Sequence, residues 1–212
     1  MKHVKFLFAF CILFCCLSGA VAQHYRVTVS EEEFDVAYIQ FDEMTPITID
    51  EEIQRYVPVT QAFAIDDGGI KGQVRYSLFT DTGTLNATRT DEAALWMCMC
   101  LLNATGLTLG EIQIEEFDPN DAQEEFNADF GINVFCVGVP SPWAQGYVYM
   151  NIDFLCKKGQ GIVMRTMLSN DARFFGASDD DTFDWGAPFF SMYHSFLFLE
   201  RDAEGNYIAP NQ

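Results

Sequence analysis

Apolar and polar positions alternate most regularly between Tyr147 and Ser169. Val148, Met150, Ile152, Phe154 and Cys156 share one side of an extended strand, and Tyr149, Asn151, Asp153 and Lys157 the other. This is the pattern of a half-buried β-strand. A second apolar run, Ile162 to Leu168, follows the turn-forming stretch Lys157-Lys158-Gly159-Gln160-Gly161, so the two runs read as an antiparallel hairpin. A two-residue Gly159-Gln160 loop would set Phe154 opposite Arg165 and place a guanidinium on the apolar side, where unpaired charge is costly. A three-residue loop, Lys158 to Gln160, instead pairs Cys156 with Ile162, Phe154 with Met164 and Met150 with Leu168, while Asp153 meets Arg165 on the wetter face. The second register is the one expected.

The other elements follow from periodicity and punctuation. Tyr25 to Val29 reads as a short strand, and Ser30-Glu31-Glu32-Glu33 forms a capping box before Phe34, Ala37, Tyr38 and Phe41 at helical spacing. A helix is expected there, broken at Met44-Thr45-Pro46, and a short helical turn from Asp50 before Pro58. Val59 to Ile65 and Gly72 to Thr80 form a second hairpin turning at Asp66 to Gly69, with Val74, Tyr76 and Leu78 on one face. Thr90-Asp91-Glu92 caps a helix from about Asp91 to Ala104 that has almost no polar side, which implies burial against a sheet. Glu111 to Glu115 alternates with Ile112 and Ile114 inward. Asp118-Pro119 opens a helix whose Ala122, Phe126 and Phe130 stack four apart before Gly131. A strand from Ile132 to Val139, a seven-residue loop and the central hairpin come next. Asn170 to Gly186 is a long loop, Ala187 to Tyr193 a short helix and Ser195 to Leu199 a strand. The fold class is therefore α+β, a single antiparallel β-sheet packed by helices.

The N-terminus changes how the rest is read. Lys2, His3 and Lys5 precede an apolar run from Phe6 to Leu17 and the small residues Ala20-Val21-Ala22, the layout of a signal peptide over residues 1–22. The run is too short against the ~20 residues that span a bilayer. Cleavage near Ala22 leaves one domain, 23–212, with ten Lys and Arg against thirty-one Asp and Glu, a net charge of −21. Such a surface repels phosphate backbones, so nucleic acid is rejected as a partner, and no later run is long enough for a transmembrane helix. Periplasmic or secreted localisation is expected. Cys98, Cys100, Cys136 and Cys156 remain after cleavage. Each lies within an apolar run, which favours buried free thiols over disulfides. Strand spacing places Cys136 opposite about Met150 and some 20 Å from Cys156.

Candidate chemistry is sparse. Only His24 and His194 survive cleavage, so a multi-His metal site cannot be built, and His194 in its apolar run reads as a packed core residue. The Met and Cys residues of Trp96 to Cys100 point to different sides of a helix, which is core packing rather than a Cu(I) site. Ser178 to Asp184 carries Asp179, Asp180, Asp181 and Asp184 but lacks the glycine and terminal glutamate of a calcium loop. A solvated acidic loop is its default reading. No cofactor is expected. Asn86-Ala87-Thr88 and Asn103-Ala104-Thr105 match the glycosylation pattern.

The order of a buried helix, a strand, a long hairpin with a Lys-Gly turn and a final apolar segment, together with KKGQGIVMRTML and FFSMYHSFLF, resembles PsbP-like domains of exported proteins over about Gly72 to Phe198. The resemblance implies an antiparallel sheet packed by helices and a binding or accessory role, and it carries no site residues over. One further expectation is geometric. The loop Pro140 to Gly146 and the exit of the hairpin at Ser169 share one end of the sheet, which brings Trp143 towards Phe174, Phe175, Trp185 and the aspartates. That group is the candidate binding patch for an unknown protein or small ligand. The alternative is that these aromatics plug the end of the core. The function expected is non-catalytic binding, with a hydrolase or Ca-dependent enzyme using acidic residues as the alternative.

Overall fold

The computed structural model describes residues 21–29, 32–80, 90–178, 182–193, 195–204 and 207–208. The expected leader lies largely outside them. Two N-terminal strands, β1 (Val21–Val29) and β2 (Glu32–Gln40), pair antiparallel. The principal sheet is built from β3 (Met44–Pro46), β4 (Gln61–Asp67), β5 (Ile70–Thr80), β6 (Ile114–Glu116), β7 (Phe130–Val137), β8 (Tyr149–Lys157) and β9 (Gly161–Ser169). Its order is β3-β4-β5-β9-β8-β7-β6, with every neighbouring pair antiparallel. Four helices lie beside it among the described residues: α1 (Glu51–Gln54), α2 (Thr90–Thr105), α3 (Pro119–Phe126) and α4 (Pro188–Tyr193). The fold is α+β, an antiparallel sheet packed by helices. A short β10 (Phe196–Phe198) joins β2 in a smaller three-stranded sheet, and β11 (Glu200–Arg201) pairs with β12 (Tyr207–Ile208).

The central hairpin has the three-residue turn. Cys156 faces Ile162, Phe154 faces Met164, Asp153 faces Arg165 and Met150 faces Leu168. Cys136 stands opposite Met150, and the four cysteines are unbonded. The β4–β5 hairpin turns at Gly68-Gly69, whose φ values of +57° and +91° are left-handed conformations that glycine adopts without a Cβ clash. At Gly72 the need is space instead, because a Cβ would lie 2.5 Å from the Phe174 ring and 2.7 Å from the Leu168 carbonyl oxygen. The two hairpins meet along β5 and β9.

Side-chain alternation divides the interior into two layers. Ile132, Val134, Met150, Ile152, Phe154, Ile162, Met164 and Leu168 point to the layer closed by α2 and the Pro142–Ala144 turn. Val74, Tyr76, Leu78, Leu155, Val163 and Met167 point to the layer closed by α3, α4, β10 and Val36 of β2. At about 1.5–3 kcal/mol for each large apolar side chain removed from water, both layers contribute heavily.

Several expectations are corrected. Residues 32–40 form a strand, not a helix, and Ser30 and Glu31 lie outside the described residues. Phe34, Val36 and Tyr38 also fit a period of two, and pairing with β1 on one side and β10 on the other selects it over the capping signal. Met44–Pro46, expected as a break, is edge strand β3, with Pro46 in its last position. α3 stops at Phe126 because Asn127 turns left-handed at φ 52°, so Phe130 starts β7 instead of completing the helix. Ile114 faces solvent. α2 is not buried all round: Met97, Cys100, Leu101 and Ala104 are inside, while Leu95 and Met99 are exposed. Asp153 and Arg165 lie on no wet face, since α3 and α4 cover them and both are fully buried.

Candidate functional site

The buried polar residues come from the strands that the hairpin register fixes. Arg165 on β9 donates through Nε and Nη2 to Asp153 Oδ2 at 3.0 and 2.7 Å, and through Nη1 to the Met192 and Tyr193 carbonyls of α4. Asn133 on β7 donates to the other carboxylate oxygen, Oδ1, at 2.6 Å. Burial opposes the guanidinium charge, but Asp153 outweighs it and holds Arg165 above its ordinary value. The Phe126 and Tyr193 rings lie 5.1 and 5.0 Å from the guanidinium carbon. Next to this network, Glu125 of α3 has a buried oxygen, Oε2, with no hydrogen-bond partner among the described residues. Burial, followed by the Asp121 charge, pushes this carboxyl up to about 7, with Arg165 acting in the opposite direction.

The opposite layer has its own arginine. Arg75 on β5 is fully buried and, among the described residues, has no carboxylate partner. It donates to Gln73 Oε1 at 3.1 and 2.8 Å, to the Trp143 carbonyl at 2.5 Å and to Gln145 Oε1, with the Trp143 ring 4.8 Å from its guanidinium carbon. Burial lowers its pKa to about 10. Three of the thiols sit in this layer: burial pushes Cys100 and Cys156 up to about 12 and Cys136 to about 11, so these three are not primed as nucleophiles.

The structure separates the residues expected to form one patch. Trp143 is fully buried in the α2 layer, where its indole N–H donates to the Val57 carbonyl at 2.9 Å. Phe174 is fully buried in the other layer. Both belong to the core, and the sheet lies between them. Phe175 is half-buried, Asp184 and Trp185 are exposed, and Asp179, Asp180 and Asp181 lie outside the described residues, as does His194. No group of three or more metal-ligating side chains occurs among the described residues.

What remains is a different surface. Phe175 touches Phe135, Tyr149 and Phe189 at ring separations of 5.3, 6.3 and 5.6 Å. Phe189 leads to Phe190 at 5.2 Å, and Phe190 touches Phe183 and Trp185 at 5.3 and 5.1 Å. The row opens to solvent at both ends, at Phe135 (45% exposed) with Val137 (57%), and at Phe183 (51%) with Trp185 (59%). The loop is anchored rather than free. Ala177 bridges to Phe183, Asp184 N–H donates to the Gly176 carbonyl at 2.9 Å, and the Asp171 carboxylate caps the Ala172–Phe175 turn. Phe135 went unnoticed in the sequence, yet it had a signal. Cys136 was expected opposite Met150 of the apolar side, and strand alternation from it leaves Phe135 and Val137 as apolar residues on the outward positions of the same strand.

Outside this row the described surface has shallow depressions. One of about 460 Å³ lies over Ile47, Ile49, Val59 and Ala62, and one of about 260 Å³ over Thr45, Ala64, Lys71 and Tyr147. Neither is lined by Asp153 or Glu125. No helix among the described residues is long and apolar enough to cross a membrane.

No family model matches the chain, and no curated sequence does. Among solved structures it is similar to the Ran-binding protein Mog1p of Saccharomyces cerevisiae, at 12% identity and a TM-score of 0.42, over 84% of this chain and 95% of that one.

Proposed function

We propose that this is an exported, acidic, PsbP-like protein of the periplasm or secreted space, which acts by binding a protein partner rather than by catalysis. The observation that carries the reading is the aromatic row from Phe135 through Phe175 to Phe183 and Trp185, open to water at both ends and seated on a rigid sheet. Contiguous exposed aromatics are costly to leave in water and serve as anchors in interfaces. The binding surface is therefore Phe135, Phe175, Phe183, Asp184 and Trp185, with Trp143 and Phe174 assigned to its support. The acidic-residue hydrolase is disfavoured because both Asp153 oxygens are held, by Arg165 and by Asn133, and neither surface depression is lined by Asp153 or Glu125.

The test is a photo-crosslinking amino acid placed at position 185 of the full chain in its native host, with the same residue at the exposed Tyr56 position as control. A discrete adduct from 185, absent from 56 and lost with Phe183→Ala, is the expected result. Equal adducts from both positions, or none from 185, would overturn the reading.

A further inference from the structure

The edge of the principal sheet is only partly covered. β6 pairs with β7 at three positions, Ile114 with Val134, Glu115 with Asn133 and Glu116 with Ile132, and the chain before it leaves the edge through the Leu109–Glu111 turn. Among the described residues, positions 135 to 137 of β7 thus pair with β8 alone. Which main-chain groups face outward follows from parity. Gly138 N–H donates to the Val148 carbonyl across β8, and the Gly131 carbonyl accepts from Phe117 N–H on the β6 side. Odd-numbered residues of β7 therefore direct their N–H and C=O away from β8. At Phe135 and Val137 these groups meet no partner among the described residues. The same two residues carry exposed apolar side chains, and Phe135 begins the aromatic row.

Charge decides what could lie there. From Thr90 to Cys156 the chain has no Lys, Arg or His and eleven Asp and Glu, so β6, β7, the turn before β6 and α3 bring no cation to this edge. A second copy of the chain would meet its own negative charge. We propose that an extended, cationic segment of a partner adds to β7 as a further strand, pairing with the main chain at Phe135 and Val137 and laying alternate apolar side chains beside theirs. This rests on the binding reading above and adds the pairing mode and the partner's chemistry. Main-chain pairing to an open edge supplies affinity, and alternate side chains supply specificity.

The experiment uses the full, isotope-labelled chain and a capped hexapeptide of alternating valine and lysine. Its comparisons are the glutamate-for-lysine peptide and a peptide N-methylated on the residues that would face the edge. With the lysine peptide, amide hydrogen exchange at Phe135 and Val137 is expected to slow about tenfold or more, and neither comparison peptide should reproduce this. Val137→Pro removes an outward N–H at a sheet edge, a position that tolerates proline, and should abolish the slowing at Phe135. Should that variant fail to fold, the N-methylated peptide against the natural chain makes the same distinction. Equal slowing with the N-methylated peptide, or none with any peptide, overturns the proposal. Slowing that grows with protein concentration alone, together with a dimeric mass, assigns the edge to a second copy and overturns it as well. If the strand pairing alone is wrong, the cross-link at 185 persists; if the binding surface is wrong, both are lost.

Discussion

The two layers of the molecule each bury an arginine, and they solve that problem in opposite ways. Arg165 is neutralised by Asp153 and fixed further by two α4 carbonyls, so charge, sheet and helix are locked together. Arg75 keeps its charge unpaired and uses neutral oxygens from Gln73, Trp143 and Gln145 to fasten the 142–146 turn to the sheet. The first arrangement tolerates loss of neither partner, because what remains is a stranded buried charge. The second is a strut, and removing it leaves only neutral acceptors without a donor.

The largest effect should therefore come from Asp153→Ala, which strands Arg165 and is expected to cost about 3–5 kcal/mol in urea unfolding. The double variant Asp153→Leu with Arg165→Met should recover most of that loss. If it does not, the pair's position in the network matters more than its charge. Arg75→Met comes next, at about 1–3 kcal/mol, since apolar volume is kept while hydrogen bonds to neutral acceptors are lost. A cost equal to that of Asp153→Ala would erase the contrast between the layers.

A pH titration sharpens it. Glu125 borders the Asp153–Arg165 layer, and its folded pKa of about 7 lies above the ordinary 4.5. A raised carboxyl binds its proton more tightly when folded, so its stabilising effect is full below about 4.5 and is lost as pH rises through 7. Between pH 5 and 8 the natural chain should lose about 1–2 kcal/mol relative to Glu125→Gln, allowing for the group's partial exposure. A constant difference between the two melting curves over that range would show that Glu125 is not held protonated. The smallest effect is expected at the surface, where Phe183→Ala should change stability by less than about 0.5 kcal/mol while removing the adduct formed from position 185.

The central hairpin was legible because its turn chemistry and its alternation agree, and a one-residue slip would have put Arg165 among Phe154 and Met164. What could not be read was how much would cover the other side. Asn151, Asp153 and Arg165 look like a wet face in sequence, and only α3 and α4, distant along the chain, make it a buried one. β2 was misread for a related reason. Its local signals favour a helix, and the strands that pair with it are β1 nearby and β10 more than 150 residues away. The expected patch failed in part because loop position along a sheet end says nothing about which face a side chain enters. Trp143 went inward towards α2, and Phe174 went inward on the other side. Trp185 and Asp184 stayed in solvent.

Strand β2 is flanked by β1 just before it and by β10 more than 150 residues after it, with Val36 aligned on Phe198. The small sheet therefore cannot close until Phe198 has been made. Closure over such a span is slow relative to local pairing. A growing chain would hold the β1–β2 ribbon unsealed until then, which makes this segment the natural point for a chaperone to take hold.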